Sequence, residues 1–287
     1  MVEKKLSNLG GDRMIFIYSV WERFCANLKE KGIISIPACE VSKEHEKFLT
    51  LKHDIESTVF KAYKLAEIEQ KYGHRGTYYA HACLLDDPNN VKLLKKMQSM
   101  GHEISYHYDV MDSNHGNLDN AIVEFEYNRK RFEELGFSII TVCQHGNPIV
   151  ERAGYTSNRD FFRSERVQAL YPQIADIMVD FKDKHHIEYD YFSDVGRKFK
   201  MIFDPLTNDI VNSEDKNIPY ENLDDLLKTL PSKAIISTHP HRWTKLAISY
   251  NIKEKVFKVV KGTAKLLMKV SVFKKIMSRY YYLAKKI

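Results

Sequence analysis

The chain has 287 residues, 44% of them apolar and 29% charged, with a formal charge of +6. That length supports one large domain or two small ones, and the balance excludes a disordered chain. No apolar run approaches the eighteen or so residues of a membrane span, and no nucleic-acid motif accompanies the positive charge.

The spacing of Ile15, Phe16, Trp21, Phe24 and Leu28 predicts an amphipathic helix over 12–31, closed by Gly32. The run MIFIYSVW inside it is too short for a leader and lacks a small-residue cleavage site, so a cytoplasmic protein is expected. Next, LTLKHDIES (49–57) alternates like a strand and ends in three ligand-type side chains, His53, Asp54 and Glu56. Alone, such a cluster reads first as a local cap and a hydrogen-bonded corner, since short motifs match often by accident. Helical spacing follows through Val59, Ala62, Leu65, Ala66 and Ile68 to Gly73, and GTYYA (76–80) supplies a second strand running into His81.

Asp87-Pro88 opens a helix that reaches Gly101, after which GHEISYHYD (101–109) is a third strand with His107 at its end. A loop at 114–117 precedes a long helix over 118–135, and SIITVCQHGNP (138–148) forms a fourth strand ending at His145. Farther on, DIMVDF (176–181) and IEYDYF (187–192) read as strands, SDVGRKF (193–199) as a turn and 220–230 as a helix. KAIIST (233–238) is a buried strand that delivers His239 into HPHRW. Strand, ligand-type residue, then helix or loop recur at intervals of roughly 30 residues, the length of a βα unit. The pattern predicts a mainly parallel sheet with its active groups at the strand ends.

The four cysteines, Cys25, Cys39, Cys83 and Cys143, show no C-x-x-C spacing, so neither a zinc knuckle nor a disulfide framework is indicated. Residues 251–287 carry a net charge of +10, which leaves −4 on the other 250. Taken as a helix, 256–273 places Val256, Val259, Val260, Leu266, Leu267, Val270 and Phe273 on one side and Lys258, Lys261, Lys265 and Lys269 on the other. A basic amphipathic tail of this kind lies on an anionic membrane surface, here the inner face, or packs its apolar side on protein.

The segments KHDIES, GHEISYHYD, CQHGNP, YFSDVGRK and ISTHPHRW give the stretch from about 48 to 243 its family character. It resembles the polysaccharide deacetylases, carbohydrate esterase family 4 with the NodB-homology fold, in a divergent branch with an HD-x-[DE] first motif. The resemblance implies an α/β fold, a distorted (β/α) barrel of about seven mainly parallel strands. It divides the chain into an N-terminal helical segment (1–47), the barrel (48–250) and the basic tail (251–287). It also implies metal-dependent removal of an N- or O-acetyl group from a carbohydrate. N-deacetylation in glycan biosynthesis is the expected function, and a lipid-linked or nucleotide-linked sugar would account for the missing export signal.

The family's first motif pairs a general-base Asp with a metal-binding Asp; the second matches Asp54, while His53 stands at the first. Its second motif has two metal histidines four apart; His107 matches the first, but Met111 occupies the other position. The expected ligands to one divalent ion, zinc foremost, are therefore Asp54, His107 and His145, with Asp109 and His115 in reserve. His53, or failing it Glu56, is the expected base, and His239 matches the general acid. His102 looks like the family's structural histidine. Asn147, Asp194 and Trp243 are the expected substrate contacts, with a turn cap or a partner for His239 the other reading of Asp194 and a core aromatic that of Trp243. Met111 and His53 also favour an alternative, a barrel that has lost catalysis and binds a glycan or a biosynthetic partner.

Overall fold

The computed structural model describes residues 16–147, 150–211, 214–252 and 255. The predicted tail helix over 256–273 and Pro148 therefore lie outside the described residues. Among those described, nine strands form one sheet: β1 (Phe48–Ile55), β2 (Thr77–Ala80), β3 (Glu103–Tyr108), β4 (Thr141–Gln144), β5 (Ala175–Asp176), β6 (Asp190–Ser193), β7 (Lys200–Ile202), β8 (Ile218–Pro219) and β9 (Lys233–Thr238). Their order is β5-β4-β3-β2-β1-β9-β6-β7-β8. The first seven in that order pair in parallel, while β7 and β8 add antiparallel edges.

Helices α1 (Tyr18–Glu30), α2 (Val59–Lys71), α3 (Pro88–Ser99) and α4 (Leu118–Glu134) contribute apolar residues to the cores outside the sheet. Local chemistry sets their starts: Asp87 accepts from Asn89 N at 2.9 Å with Pro88 at the first turn, and Asn117 accepts from Asn120 N at 3.0 Å. All eight residues of β1 are buried, as expected for a parallel strand covered on both faces. Its odd-numbered Leu49 and Leu51 pack with Trp21, Phe24 and Leu28 of α1. Phe48 instead joins Tyr79, Cys143, Tyr191, Ile202 and Ile235, an interior cluster drawn from β1, β2, β4, β6, β7 and β9. Six strands sharing one inner core is the mark of a sheet curled into a barrel-like shape. Among the described residues β5 and β8 remain its two ends.

The fold departs from the sequence reading in its second half. DIMVDF is not one strand: pairing stops at Asp176, whose Oδ1 accepts from Met178 N (2.7 Å) and Val179 N (3.2 Å). That side chain turns the backbone into the short helix Asp180–Asp183. The helix predicted over 220–230 is trimmed to Leu223–Lys228. Strands β7 and β8, of three and two residues, were not predicted.

A candidate active site at the strand ends

The C-terminal ends of the parallel strands open into a cleft of about 450 Å³, lined among others by Asp54, Glu56, His107, His145, His239 and Arg242. Side-chain alternation selects them. Asp54 pairs with Tyr79 and points inward with it, so the neighbouring His53 must point out. Ala80 pairs with Tyr106, which brings His81 and His107 side by side at the next step, and His107 pairs with Cys143. His145 follows two residues later on the same face, its backbone N–H donating to Tyr108 O at 2.6 Å.

The histidines are held in defined orientations. A carbonyl oxygen can only accept, so the 3.0 Å contact between His107 Nδ1 and Cys143 O fixes the proton on Nδ1 and leaves a lone pair on Nε2. That Nε2 lies 3.3 Å from His145 Nδ1, which in turn lies 3.2 Å from Glu56 Oε1. The His81 ring stands 4.9 Å from that of His107 and 4.7 Å from that of His145, edge to face in both cases. Burial, with His81, His145 and Lys52 adding to it against Asp54, pushes His107 well below its ordinary pKa and keeps it neutral.

Two sets of donors among the described residues have all their ligand atoms within 4.8 Å of one another: His81, His107 and His145, and Asp54, His107 and Cys143. Nitrogen donors of the first set, converging from three strand ends, fit a borderline cation such as zinc.

Asp54 is paired before any ligand arrives. Burial alone would raise its pKa, but the Lys52 ammonium, 2.6 Å from Oδ2, together with His107 and His239, holds it at about 2. Lys52 is itself buried in the interior, 3.4 Å from Tyr191 Oη and 3.3 Å from Ser237 Oγ, and Asp54 raises its pKa well above normal against the opposing effect of burial. Asp54 Oδ1 is buried and makes no hydrogen bond to the described residues.

Across the cleft, His239 Nδ1 lies 2.6 Å from Asp194 Oδ1, and Arg242 Nη1 lies 2.5 Å from the same oxygen. Asp194 Oδ2 accepts from Thr238 Oγ1 at 2.7 Å and His239 N at 3.0 Å. Burial opposes ionisation of Asp194, yet Arg242 and His239 hold it well below the usual carboxylate range. With Nδ1 donating to that carboxylate, His239 aims Nε2 into the cleft, 3.8 Å from Glu56 Oε1 and 3.9 Å from Asp54 Oδ2.

Asp54, Glu56, His107, His145, Asp194 and His239 thus meet in one place, and three expected contacts do not. His53 is excluded by the pleat: it stacks on Tyr78 at 4.2 Å and lies 2.8 Å from Glu69 Oε1, fully buried on the outer face. The expectation of His53 as base is therefore corrected, and Glu56, the other candidate, lines the cleft. Trp243 is also fully buried, packed on Phe16 and Trp21 with Nε1 donating to Thr238 Oγ1 at 2.9 Å, so it cannot stack on a sugar. Asn147 is not among the cleft-lining residues, and its carbonyl accepts from Arg152.

Of the reserve ligands, His115 is exposed in a loop and Asp109 does not line the cleft. Met111 is packed in the apolar core. Sequence reasoning missed Lys52, Arg242 and His81 in the site. The signal for His81 was present, since it ends its strand as His107 and His145 end theirs.

These features define an α/β protein with a histidine- and carboxylate-lined cleft at the C-terminal edge of a parallel sheet. No family model matches the chain, and no curated protein matches it significantly. Among solved structures it is similar to a family 4 carbohydrate esterase from Streptomyces lividans, with 12% identity over 71% of this chain and 84% of that one and a TM-score of 0.42. It is also similar to a family 4 pseudoenzyme from Bacillus anthracis (12% identity, 79% and 66% covered, TM-score 0.41). A third is the peptidoglycan deacetylase PdaC from Bacillus subtilis (12% identity, 86% and 99% covered, TM-score 0.40). At these values no residue role transfers from one chain to another.

Proposed function

We propose that the protein is a metal-dependent hydrolase that removes an acetyl group from an amino sugar. The observation that carries this reading is the opposition of Glu56 and His239 across the cleft, with Nε2 of the histidine 3.8 Å from the carboxylate and the His107–His145 nitrogens alongside. A carboxylate and an imidazole that face each other at the sheet's open end supply a base and an acid for one substrate.

The imidazoles of His107 and His145 would hold the ion, zinc foremost. When bound, it would supply Lewis-acid polarisation of the acetyl carbonyl and lower the pKa of water. Glu56 accepts the proton of the attacking water. His239, as the imidazolium, protonates the departing nitrogen while the C–N bond breaks, giving acetate and the free amine. Asp194, ionised and clamped by Arg242, holds Nδ1–H and so keeps the transferable proton on Nε2, the arrangement by which buried carboxylates orient catalytic histidines.

A role in glycan biosynthesis, on a lipid- or nucleotide-linked sugar at the inner membrane face, suits the basic tail. Sedimentation with anionic vesicles before and after truncation at Asn251 tests that placement. The chemistry is tested by acetate release from N-acetylated sugars, with and without chelator. Release that persists unchanged in chelator, or no release from any N-acetyl sugar by zinc-loaded protein, rules the reading out. In the second case, Met111 in the core where the family carries a histidine favours a glycan-binding barrel without catalysis.

A further inference from the structure

The first donor set offers a nitrogen from each of three adjacent strand ends, and one distance in it, itself within hydrogen-bond range, matches a zinc-bound pair. Two nitrogens each about 2.05 Å from a tetrahedral zinc lie roughly 3.3 Å apart. His107 Nε2 and His145 Nδ1 stand 3.3 Å apart. One nitrogen of each of the three rings lies within 4.8 Å of one nitrogen of each other ring, so His81 stands within reach of the same point. All three side chains are buried, and their backbones are anchored: His81 N donates to Ile55 O, and His145 is tied to Tyr108 O through its N–H and to Asn158 Nδ2 through its carbonyl.

Asp54 lies on the wrong edge of the shared ring to join this triangle. Its Oδ1 faces His107 Nδ1 at 3.9 Å, and that nitrogen is already donating to Cys143 O. A second cation placed there, between Asp54 and Cys143, would sit beside the buried Lys52 ammonium, 2.6 Å from the same carboxylate. Like charges in a dry interior repel strongly. The Nε2 edge is free of that conflict, and Glu56 flanks it at 3.2 Å from His145 Nδ1.

We infer that the metal site is a three-imidazole centre made by His81, His107 and His145, with Asp54 left outside the ligand set. This deepens the hydrolase reading and rests on it only for the identity of the ion. Three neutral ligands leave the full +2 charge in the cleft, countered by the nearby carboxylates of Glu56 and Asp54.

The test is X-ray absorption on zinc-loaded full-length protein, joined to zinc titration of variants. Three imidazole scatterers per zinc are expected. Zinc affinity should fall more than about 100-fold in His81→Ala, beyond what loss of a supporting contact causes, and stay within about tenfold in Asp54→Asn. Should His81→Ala fail to fold, His81→Gln and the scatterer count on the wild-type protein decide. Fewer than three imidazoles, a carboxylate ligand lost in Asp54→Asn, or no bound zinc each overturns the inference. Acetate release is read separately: a three-imidazole centre without hydrolysis leaves the inference standing and removes the proposed activity. Hydrolysis by a centre of Asp54 and two imidazoles does the reverse.

Discussion

Replacing Glu69 by Gln should cost stability heavily while sparing the chemistry. The Glu69 carboxylate is fully buried behind β1; it accepts from Trp21 Nε1 at 3.0 Å and Tyr78 Oη at 2.9 Å, and His53 Nε2 lies 2.8 Å away. The backbone packs tightly on this carboxylate at Gly76, where a Cβ would stand 2.7 Å from Leu51 O and 2.9 Å from Glu69 Oε2. Burial works against the charge, yet His53, with His102 and the Tyr78 hydroxyl, holds the Glu69 pKa below its ordinary 4.5.

A Gln in that place loses the charge, sets an N–H₂ against existing donors and strands His53. Breaking one partner of a buried pair costs about 3–5 kcal/mol. For a domain of this size that is a fall in Tm of roughly 6–20 °C. Because a depressed carboxylate contributes stability above its unfolded pKa and loses it as pH falls through the folded one, the difference between wild type and Glu69→Gln should shrink below about pH 4. Urea unfolding at pH 7 and pH 3.5 measures both. A loss under 1 kcal/mol at pH 7, or a fall in turnover as deep as that of Glu56→Gln, would falsify the division of β1 into a structural and a chemical face.

Asp180 has the opposite sign. Burial first, then Asp176, raises its pKa from 3.8 to about 7, so the stability linked to its bound proton is full below about pH 4 and is lost as pH rises through 7. Asp180→Asn should remove a pH-dependent loss on the order of 3 kcal/mol between pH 5 and 8, seen in melting curves at both pH values. Met111→His puts an imidazole into the apolar core, and unfolding should show a cost of about 1–3 kcal/mol with no gain in zinc affinity by titration. Asp194→Asn should lower turnover more than about 100-fold, with KM changed only a few-fold, since it frees the His239 tautomer without touching substrate; a larger effect on KM than on kcat would count against the acid assignment.

Much of this architecture is legible in the residue pattern, and the exceptions have identifiable causes. The four strands that end at Asp54, His81, His107 and His145 alternate clearly and are followed by helical spacing or turn signals, so the parallel half of the sheet is readable. The pair His53-Asp54 misleads because motif matching treats neighbours as partners, whereas a strand sends them to opposite faces. Trp243 misleads for another reason: it follows a catalytic-looking histidine, but Pro240 begins a helical turn that carries it back over the outer core beside Phe16. β7 and β8 are too short for any periodicity to register. The DIMVDF run looks like a strand by composition, and the two hydrogen bonds that the Asp176 carboxylate accepts from the N–H groups of Met178 and Val179 turn the chain out of it.

Lys52, His53 and Asp54 form an unbroken run of ionisable side chains buried alternately on the two sides of one strand. Creeping one position along β2 and β9 would send Lys52 and Asp54 together to the outer face and His53 to the inner: in one direction Asp54 meets Glu69, two carboxylates in a waterless compartment, and in either direction Lys52 leaves Tyr191 and Ser237. Apolar strands tolerate such sliding far better, because one aliphatic neighbour substitutes for the next. Charge therefore acts here as a ratchet tooth: the dry salt contact behind the sheet indexes the strand, and the depth at which the cleft's carboxylates emerge is set from the far side of the wall.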